Sequence, residues 1–490
     1  MKEFIKKYNG IIFLFIAIML MITASILSRP LTNLDEIWNY NIARNMAEGK
    51  LAYKDFNLVQ MPGSFWFASI FLKIANEMIV TRILGIALSI AILGLIYTLL
   101  RKLKINKHLV TASILLITYM FLEYFCFDYN FFNLFLIMLL ILLEHSSDNS
   151  KRYNFFIGIV AGLSMLVKQT TGAFVIIAAI LIRVLLIKKM SWKQSLKIIM
   201  IRCLGVLMPI IIFMAYLTIS SSWHEFIDYT ILGISTFENN ISYLNLISSD
   251  VLYIKILAIA VPIYFIGMAV MWILKKDKIV LILLLYGLAS FIVVYPIADN
   301  IHFLIGALPA IAGMIYVIFI AINNIKQRYI REKVCVFIKY MMEAILFIVT
   351  IWIILMQSRE LIRVISNIFS YKELNHFRYI EVSEGMLNQI KIVDDFIESS
   401  KKPVYILDAA AAIYMIPIDR YNKDYDMFLK GNLGGNGEDG QIEKIKSVDA
   451  YLLVRHNANE RNWQTPTRVI EYVEMNNEKQ GSVETFDVYN

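Results

Sequence analysis

Long apolar runs recur along the first three quarters of the chain, and they constrain its fold more than any other feature of the sequence. A hydrocarbon core about 30 Å thick is crossed by about 20 helical residues at about 1.5 Å per residue. Eleven runs approach that length, and we predict one membrane-spanning helix in each. The predicted spans are residues 10–28, 80–100, 109–126, 130–144, 153–168, 171–187, 199–219, 251–274, 279–296, 302–322 and 335–356.

The composition also supports a membrane protein, and it argues against a soluble globular protein and a nucleic-acid-binding protein. Hydrophobic residues make up 58% of the chain and charged residues 18%, against about 45–50% and about 25% in soluble proteins. The net charge of +8 would favour nucleic-acid binding only if it formed a basic patch on a soluble surface. The positive charge instead lies in loops between the spans, and residues 358–490 are net acidic, so we predict no nucleic-acid partner.

The distribution of basic residues predicts the orientation in the plasma membrane. With the N-terminus in the cytosol, most of the Lys and Arg residues in loops before residue 357 lie on the cytosolic side, as the positive-inside rule requires. Residues 63–77 are apolar but short, and we interpret them as a helix on the outer surface rather than a further span. Eleven spans then place the C-terminus outside the cell. The first span begins like a signal peptide, but no clear cleavage site follows it, so we expect it to be retained.

Residues 358–490 predict a small extracytoplasmic α/β domain after the membrane domain of residues 1–357. Three strand-like segments alternate there with three helical segments. The strands are residues 403–407, 449–454 and 484–489, and the helices are residues 409–415, 441–445 and 468–475. The turn "GNLGG" lacks the Lys-Ser/Thr of a phosphate-binding loop, so an ordinary loop is the favoured interpretation.

The outer loop of residues 28–79 carries the most informative polar pattern. Asp35 and Glu36 begin a predicted amphipathic helix that ends near Ala47, with Tyr40 at interface depth. Asn33 followed by Glu36 fits a helix-capping pattern, so capping and function are equally supported for Glu36. For Asp35 we favour function, because a carboxylate at the lipid surface is costly without a purpose.

Further polar residues lie at the outer ends of the predicted spans, and each has an ordinary structural alternative. A cation on the outer face runs against the positive-inside trend, although a Lys at a helix end also snorkels to the interface. Acidic residues at these ends are also helix caps or polar turns, and a lone His is more often structural. The candidates are Lys168, His302, Arg44, Lys54, Glu123, Asp128 and Asp299.

No residue spacing supports a metal site or a cofactor. The three cysteines lack CxxC spacing, and the His-Glu pair at His224 lacks HExxH spacing. We therefore predict no definite cofactor, and a divalent metal stays open without support from the sequence.

Several motifs in this order resemble a known enzyme family. Asp35-Glu36 after span one is followed by Arg44-x-Met46, "GKLAYKDF" and Met61-Pro62-Gly63. Together with "GIVAGLSMLVKQTTGAF" and "YPIADNIHFLIGALP", this pattern is similar to GT-C glycosyltransferases of the protein mannosyltransferase and aminoarabinose transferase type. The resemblance implies a polytopic fold with interfacial helices in the first outer loop and a soluble tail. It also implies transfer of a sugar from a polyprenyl-phosphate carrier on the non-cytosolic face.

The chemistry of that reaction assigns roles to the candidates. A hydroxyl acceptor must lose its proton as it attacks the sugar C1, and one carboxylate acting as general base is worth about 10²–10⁴-fold. We expect Asp35 to be the base, with Glu36 either orienting the acceptor or helping to desolvate the site. We also expect a single displacement that inverts the anomeric carbon. The expected phosphate ligands are Lys168, His302, Arg44 and Lys54, and the further cavity residues are Glu123, Asp128, Asp299 and Tyr40.

The sequence does not identify the substrates, and it is also compatible with one other function class. Asn39 stands where relatives often carry Tyr, and Met61-Pro62 replaces a Pro-Pro or Lys-Pro pair, so the sugar and the acceptor are not assigned. The acceptor is a lipid, glycan or protein hydroxyl. A transporter or flippase for a lipid-linked or small polar substrate is the alternative, but its charged residues would lie near the bilayer midplane. We predict instead that Asp35, Lys168 and His302 line one outward-facing cavity that lipid enters laterally.

Overall fold

The computed structural model describes residues 2–147, 150–186, 192–236, 241–329, 332–456 and 464–490. In these residues the chain is mostly helical and carries one small sheet. The helices are α1 (Lys2–Leu27), α2 (Leu34–Ala47), α3 (Gly63–Leu72), α4 (Met78–Lys102), α5 (Lys107–Phe121), α6 (Tyr129–Ser146), α7 (Lys151–Val167), α8 (Gln169–Leu185), α9 (Trp192–Ser220), α10 (Trp223–Phe226), α11 (Leu244–Ile247), α12 (Leu252–Lys275), α13 (Lys278–Phe291), α14 (Asn300–Tyr329), α15 (Glu332–Ile368), α16 (Glu384–Ser399), α17 (Ala411–Met415), α18 (Gly437–Lys446) and α19 (Thr467–Asn476). The strands are β1 (Val404–Ile406), β2 (Tyr451–Arg455), β3 (Lys479–Val483) and β4 (Phe486–Tyr489).

The eleven predicted spans correspond one to one to eleven helices of the structure. These helices are α1, α4 to α9 and α12 to α15. Residue 187, the last of the sixth predicted span, lies outside the described residues. By length and composition, six of the described helices can cross a membrane. They are Met78–Lys102, Tyr129–Ser146, Trp192–Ser220, Leu252–Lys275, Asn300–Asn323 and Ala344–Ile368. The membrane-protein class is confirmed, and the crossing of the shorter helices stays a prediction.

Compact unit 1 is a helical bundle formed by Met1–Ser28, Leu84–Ile210 and Ile241–Ser366. Helix α13 lies at its centre and packs against α6, α8, α12 and α14. Residues 279–284 of α13 are all buried, because neighbouring helices enclose this part of the helix on every side.

Glycines allow two helices of unit 1 to approach closely. A Cβ on Gly158 of α7 would lie 2.2 Å from the carbonyl oxygen of Arg202, and a Cβ on Gly205 of α9 would lie 2.3 Å from that of Phe155. Small residues at such contacts bring helix backbones together where lipid provides no hydrophobic driving force. The crossing of α7 and α9 therefore depends on glycine at both positions.

A buried ion-pair cluster joins four helices of unit 1. Both carboxylate oxygens of Glu144 on α6 pair with the guanidinium of Arg202 on α9, and both side chains are fully buried. Arg202 Nε also donates to Asn154 Oδ1 at 2.8 Å, and Arg183 Nη2 lies 3.5 Å from Glu144 Oε2. Buried charges are stable only when they are paired in this way. The sequence signal for this cluster was the presence of charged residues inside apolar helices, and we did not predict the cluster from it.

Compact unit 2 is formed by Arg29–Ile83, Ile211–Asn240 and Asn367–Asn490. Its sheet has the order β1-β2-β4-β3, with β1 parallel to β2 and with β4 antiparallel to β2 and to β3. The predicted strands correspond to β1, β2 and β4, and the predicted helices to α17, α18 and α19, so the small α/β fold is confirmed. Helix α16 and strand β3 were not predicted. By its contacts the first outer loop groups with the C-terminal residues, whereas the predicted boundary at 357/358 assigns it to the membrane domain.

The turn "GNLGG" packs against a π-helical turn at Ile227–Leu232 in the same unit. Gly435 N donates to Asp228 Oδ1 at 2.9 Å, and a Cβ on Gly434 would lie 2.5 Å from Asp228 Oδ2. Gly434 also has φ +82°, a conformation that favours glycine. These contacts support the interpretation of "GNLGG" as a packing loop.

Candidate active site

The first candidate group in unit 2 is the N-terminus of α2, which carries Asp35. The side-chain oxygen of Asn33 accepts a hydrogen bond from Glu36 N at 3.2 Å, so the predicted cap is present. Asp35 is exposed in the first turn, and its backbone oxygen accepts a bond from Asn39 Nδ2 at 2.6 Å. The cap fixes the start of the helix and presents the Asp35 carboxylate at its exposed end.

Glu36, the next residue, lies in the interior. Its side chain is 4% exposed, and its two oxygens each accept a bond of 3.0 Å from Arg82 of α4. Arg82 Nη1 also donates to the carbonyl oxygen of Arg29 at 2.6 Å. This bidentate pair holds α2 to α4 and to the chain that follows α1. The arrangement favours a structural role for Glu36, and its predicted contact with the acceptor has no support from this geometry.

Two other candidates on α2 are also interior residues. Arg44 has no exposed surface and donates to the carbonyl oxygens of Ile416 at 3.2 Å and Arg420 at 2.9 Å. The Tyr40 hydroxyl lies 3.1 Å from the carbonyl oxygen of Asn76, and burial raises the pKa of this hydroxyl well above its usual value, with Arg44 opposing. The enclosed positions argue against Arg44 as a phosphate ligand and against Tyr40 as a cavity residue.

The remaining candidate of the first outer loop, Lys54, is exposed. Its backbone oxygen accepts a bond from Lys423 Nζ at 2.9 Å. Its predicted phosphate contact stays a prediction.

The second candidate group lies in unit 1, where helices α6 and α8 begin. Lys168 is both the C-cap of α7 and the N-cap of α8. Its Nζ donates to Asn130 Oδ1 at 2.7 Å. The same ammonium lies 5.3 Å from the ring centroid of Tyr129. Asp128, 3% exposed, caps α6 by accepting a bond from Phe131 N at 2.6 Å. Two helix starts thus bring a cation and a carboxylate to one end of the bundle.

Asp299 and His302 at the start of α14 join this group. Asp299 Oδ1 accepts a bond from His302 N at 2.8 Å, as a helix cap does, and lies 2.8 Å from His302 Nδ1. The charges of Asp128 and Asp299 both act on the Lys168 ammonium, so the three groups are neighbours. The structure therefore brings together four candidates that are separated by up to 174 positions in the sequence.

Aromatic hydroxyls extend this polar end of the bundle. The Tyr124 hydroxyl interacts with the side chains of Asn300 and Tyr253. The negative charges of Glu123 and Asp299 also act on this hydroxyl. Glu123 is exposed. We did not predict Tyr124, Tyr253 or Asn300 from the sequence, because uncharged residues at the ends of apolar runs resemble ordinary interface residues.

The candidates thus form two groups. Asp35 belongs to unit 2, whereas Lys168, Asp128, Asp299 and His302 belong to unit 1. That Asp35, Lys168 and His302 line one cavity stays a prediction.

Residues 60–219 of the chain match the sequence model of a family described as dolichyl-phosphate-mannose-protein mannosyltransferase. No curated protein sequence matches the chain significantly. ArnT from Cupriavidus metallidurans, solved in the apo state, is similar in structure with a TM-score of 0.56 and 11% identity, over 99% of this chain and 98% of that chain. The same enzyme bound to undecaprenyl phosphate gives a TM-score of 0.54 and 9% identity, over 98% and 97%.

The archaeal oligosaccharyltransferase AglB from Archaeoglobus fulgidus, in complex with an inhibitory peptide and a dolichol-phosphate, is also similar. Its TM-score is 0.56 at 11% identity, over 99% of this chain and 74% of that chain. The chain has a GT-C fold. The GT-C resemblance seen in the sequence is thereby confirmed at the level of the fold. The similarity to ArnT covers 99% of this chain and therefore includes both the bundle and the small C-terminal sheet.

Proposed function

We propose that this chain is a membrane glycosyltransferase that moves a sugar from a polyprenyl-phosphate carrier to a hydroxyl acceptor on the outer membrane face. The observation that carries the proposal is the group of Lys168, Asp128, Asp299 and His302 at the helix starts of a GT-C bundle. The match of residues 60–219 to a mannosyltransferase family supports the reaction class. The carriers bound by ArnT and by AglB, undecaprenyl phosphate and dolichol-phosphate, support the class of donor.

The proposed reaction is a single displacement at the sugar C1. The acceptor oxygen forms a bond to C1 while its proton passes to the Asp35 carboxylate. The bond between C1 and the phosphate oxygen breaks, and the polyprenyl phosphate leaves with the electron pair. Direct attack from the opposite face inverts C1.

The departing phosphate gains negative charge in the transition state. Hydrogen-bond donors and cations held in place before the reaction stabilise such charge without reorganisation. Lys168 supplies an ammonium fixed by Asn130, and the imidazole of His302 is fixed by Asp299. In this proposal both groups bind the phosphate, and the acidic neighbours Asp128 and Asp299 hold them in place.

The buried charges of the bundle fit this proposal better than a transporter. Glu144 and Arg202 are fully buried and paired through both carboxylate oxygens, and Glu144 lies two residues from the end of α6. A closed pair near a helix end is a structural feature, whereas transporters place substrate-binding charges near the midplane. The transporter alternative therefore gains no support from these residues.

The experiment that tests the proposal measures sugar transfer in membranes supplied with labelled polyprenyl-phosphate-linked sugars. We expect transfer with the intact chain and a loss of about 10²–10⁴-fold with Asp35→Asn, because the amide cannot accept the acceptor proton. Unchanged transfer by Asp35→Asn would contradict the role of the base. Comparing envelope glycans and lipids from cells with and without the chain identifies the sugar and the acceptor together.

A further inference from the structure

Three potential metal ligands converge in unit 2 at the end of α2 that is opposite to Asp35. They are Glu48, the C-cap of α2, together with His376 and Asp419 from two loops. One ligand atom from each residue lies within 4.8 Å of those from the other two. His376 is 7% exposed, whereas Asp419 and Glu48 lie at the rim. The arrangement has an enclosed nitrogen ligand and two more accessible oxygen ligands.

The hydrogen bonds of His376 fix which ring nitrogen faces the carboxylates. Its Nδ1 lies 2.7 Å from the carbonyl oxygen of Asn76, which can only accept, so Nδ1 carries the N–H. A neutral imidazole has one N–H, and Nε2 therefore presents its lone pair. Nε2 lies 2.5 Å from Asp419 Oδ1, which also presents lone pairs. A separation of 2.5 Å is hydrogen-bond distance, whereas two ligands held about 2.0–2.2 Å from one tetrahedral ion lie about 3.3 Å apart. A bound ion therefore takes the place of the shared proton and requires the accessible Asp419 carboxylate to move back from Nε2.

The two carboxylates are themselves held by amide side chains. Asn76 Nδ2 donates to Glu48 Oε1 at 3.1 Å, and Asn375 Nδ2 donates to Asp419 Oδ2 at 3.3 Å. Asn76 thus orients both His376, through its backbone, and Glu48, through its side chain. Partners of this kind, which orient the ligands without touching the metal, are typical of metal sites in proteins.

The surrounding charges permit a divalent cation and moderate its affinity. Lys50 Nζ lies 2.8 Å from Glu48 Oε2, and the Arg44 guanidinium lies 3.7 Å from Glu48 Oε1 and 3.8 Å from Asp419 Oδ1. Glu77 adds a negative charge near His376. The cations partly balance the carboxylates, and each carboxylate oxygen keeps a lone pair for coordination.

We propose that Glu48, His376 and Asp419 bind one Zn²⁺ ion. Nε2 of His376 and one oxygen from each carboxylate are the protein ligands, and water completes a tetrahedral set. The imidazole ligand selects zinc over Mg²⁺ and Ca²⁺, which prefer oxygen ligands only. The ion fastens the C-terminal end of α2 to the loops that carry His376 and Asp419, and its water ligand leaves one coordination position open. The site does not depend on the proposed sugar transfer.

The first test measures zinc bound to the purified full-length chain after removal of adventitious metal and incubation with ZnCl2 alone. We expect close to one Zn²⁺ per chain by mass spectrometry, and at least a tenfold weaker affinity for His376→Gln in competition with a chromogenic chelator. His456→Gln is the matched control, because within the part of the chain that the structure describes His456 pairs with one carboxylate, that of Asp487, at 3.3 Å. Equal zinc affinity of the intact chain and His376→Gln overturns the proposal.

A second measurement covers the case in which His376→Gln fails to fold. Glu48→Gln and Asp419→Asn change residues at the rim and keep a side chain of the same shape. Zinc is expected to raise the thermal unfolding midpoint of the intact chain by several degrees, and to do so far less in either variant. An unchanged midpoint with zinc in the intact chain overturns the proposal and assigns the contact to an imidazolium–carboxylate pair. Neither measurement uses a sugar substrate, so the outcome is independent of the glycosyltransferase assay.

Discussion

Asp35 and Glu36 are adjacent in the sequence, and the structure puts them in opposite environments. Asp35 is exposed, whereas Glu36 is buried and bonded to Arg82 through both oxygens. The sequence identified both acids and the cap at Asn33. It did not identify Arg82 as the partner, because the two residues lie 46 positions apart and no spacing signal links them.

The first prediction separates the roles of these two acids. Glu36→Gln removes a charge from a buried pair and leaves Arg82 buried without compensation, which costs about 3–5 kcal/mol. We expect a markedly lower unfolding midpoint in detergent. Asp35→Asn is the matched control with an unchanged midpoint, because an exposed carboxylate costs little to replace. Equal midpoints for Glu36→Gln and the intact chain would contradict the structural role.

The second prediction concerns Lys168. Lys168→Met removes an ammonium that the proposal places on the donor phosphate, and a hydrogen bond to a charged group is worth about 1.5–3 kcal/mol. We expect transfer at low donor concentration to fall by roughly 10- to 100-fold. Lys54→Met, an exposed cation of the outer loop, provides the comparison with a smaller effect. Transfer rates measured across donor concentrations check both variants. A larger loss with Lys54→Met than with Lys168→Met would assign the phosphate contact to Lys54 instead of Lys168.

At the scale of elements, apolar run length predicted helices and failed for segments whose structure depends on pairing. Strand β3 contains Lys479 to Val483 and is mostly exposed at the sheet edge, so it lacks the alternation that predicts a strand. It forms because β4 offers it hydrogen-bond partners. For the polar group at the starts of α6, α8 and α14, the sequence predicted Lys168 and His302 as phosphate ligands of one cavity, with Asp128 and Asp299 as further cavity residues. Which of them are neighbours across helices, such as Lys168 and Asp299, is decided by the packing of the helices.

The third prediction concerns helix α16, which buries an acid. Asp394 is 8% exposed, and burial, followed by the charges of Glu398 and Asp395, raises the pKa of its carboxyl to about 8. The folded state therefore holds a proton that the unfolded chain has lost above about pH 4. The contribution of Asp394 to stability is greatest below about pH 4 and falls as the pH rises to about 8.

Asp394→Asn removes this dependence. We expect the variant to unfold at a higher temperature than the intact chain at pH 9, by about 1–3 kcal/mol of stability, and to gain much less at pH 5. Asp395→Asn on the same helix, an exposed position, is expected to change the midpoint much less. Thermal unfolding at the two pH values checks this, and an equal gain at pH 5 would show that the charge is not the cause.

At the scale of the whole molecule, the order of apolar and polar segments predicted the fold class, and three-dimensional contacts decided the grouping. Residues 29–83 follow the first span in sequence but cluster with residues 367–490. Sequence order could not predict this, because the two segments are separated by more than 280 positions. The proposed zinc ligands Glu48, His376 and Asp419 lie in these same two segments, so no motif of fixed spacing contains them.

The fourth prediction is the topology of the whole chain. The distribution of Lys and Arg places residues 101–107 in the cytosol and the C-terminal domain outside. In intact cells, we expect a membrane-impermeant maleimide to label Gln480→Cys and to leave Lys107→Cys unlabelled until the cells are permeabilised, relative to the parental chain. Both positions are exposed. Labelling in the reverse order would invert the predicted orientation.

The pairing of Glu144 with Arg202 also sets an order for biosynthesis. Glu144 is synthesised 58 residues before Arg202, which at about 5–20 residues per second is roughly 3–12 s earlier. During that interval α6 carries a carboxylate whose main partner does not yet exist, and Arg183 on α8, 3.5 Å away in the folded chain, is the first cation of this cluster to be synthesised. The bidentate pair that joins α6 to α9 therefore forms only after α9 has been synthesised.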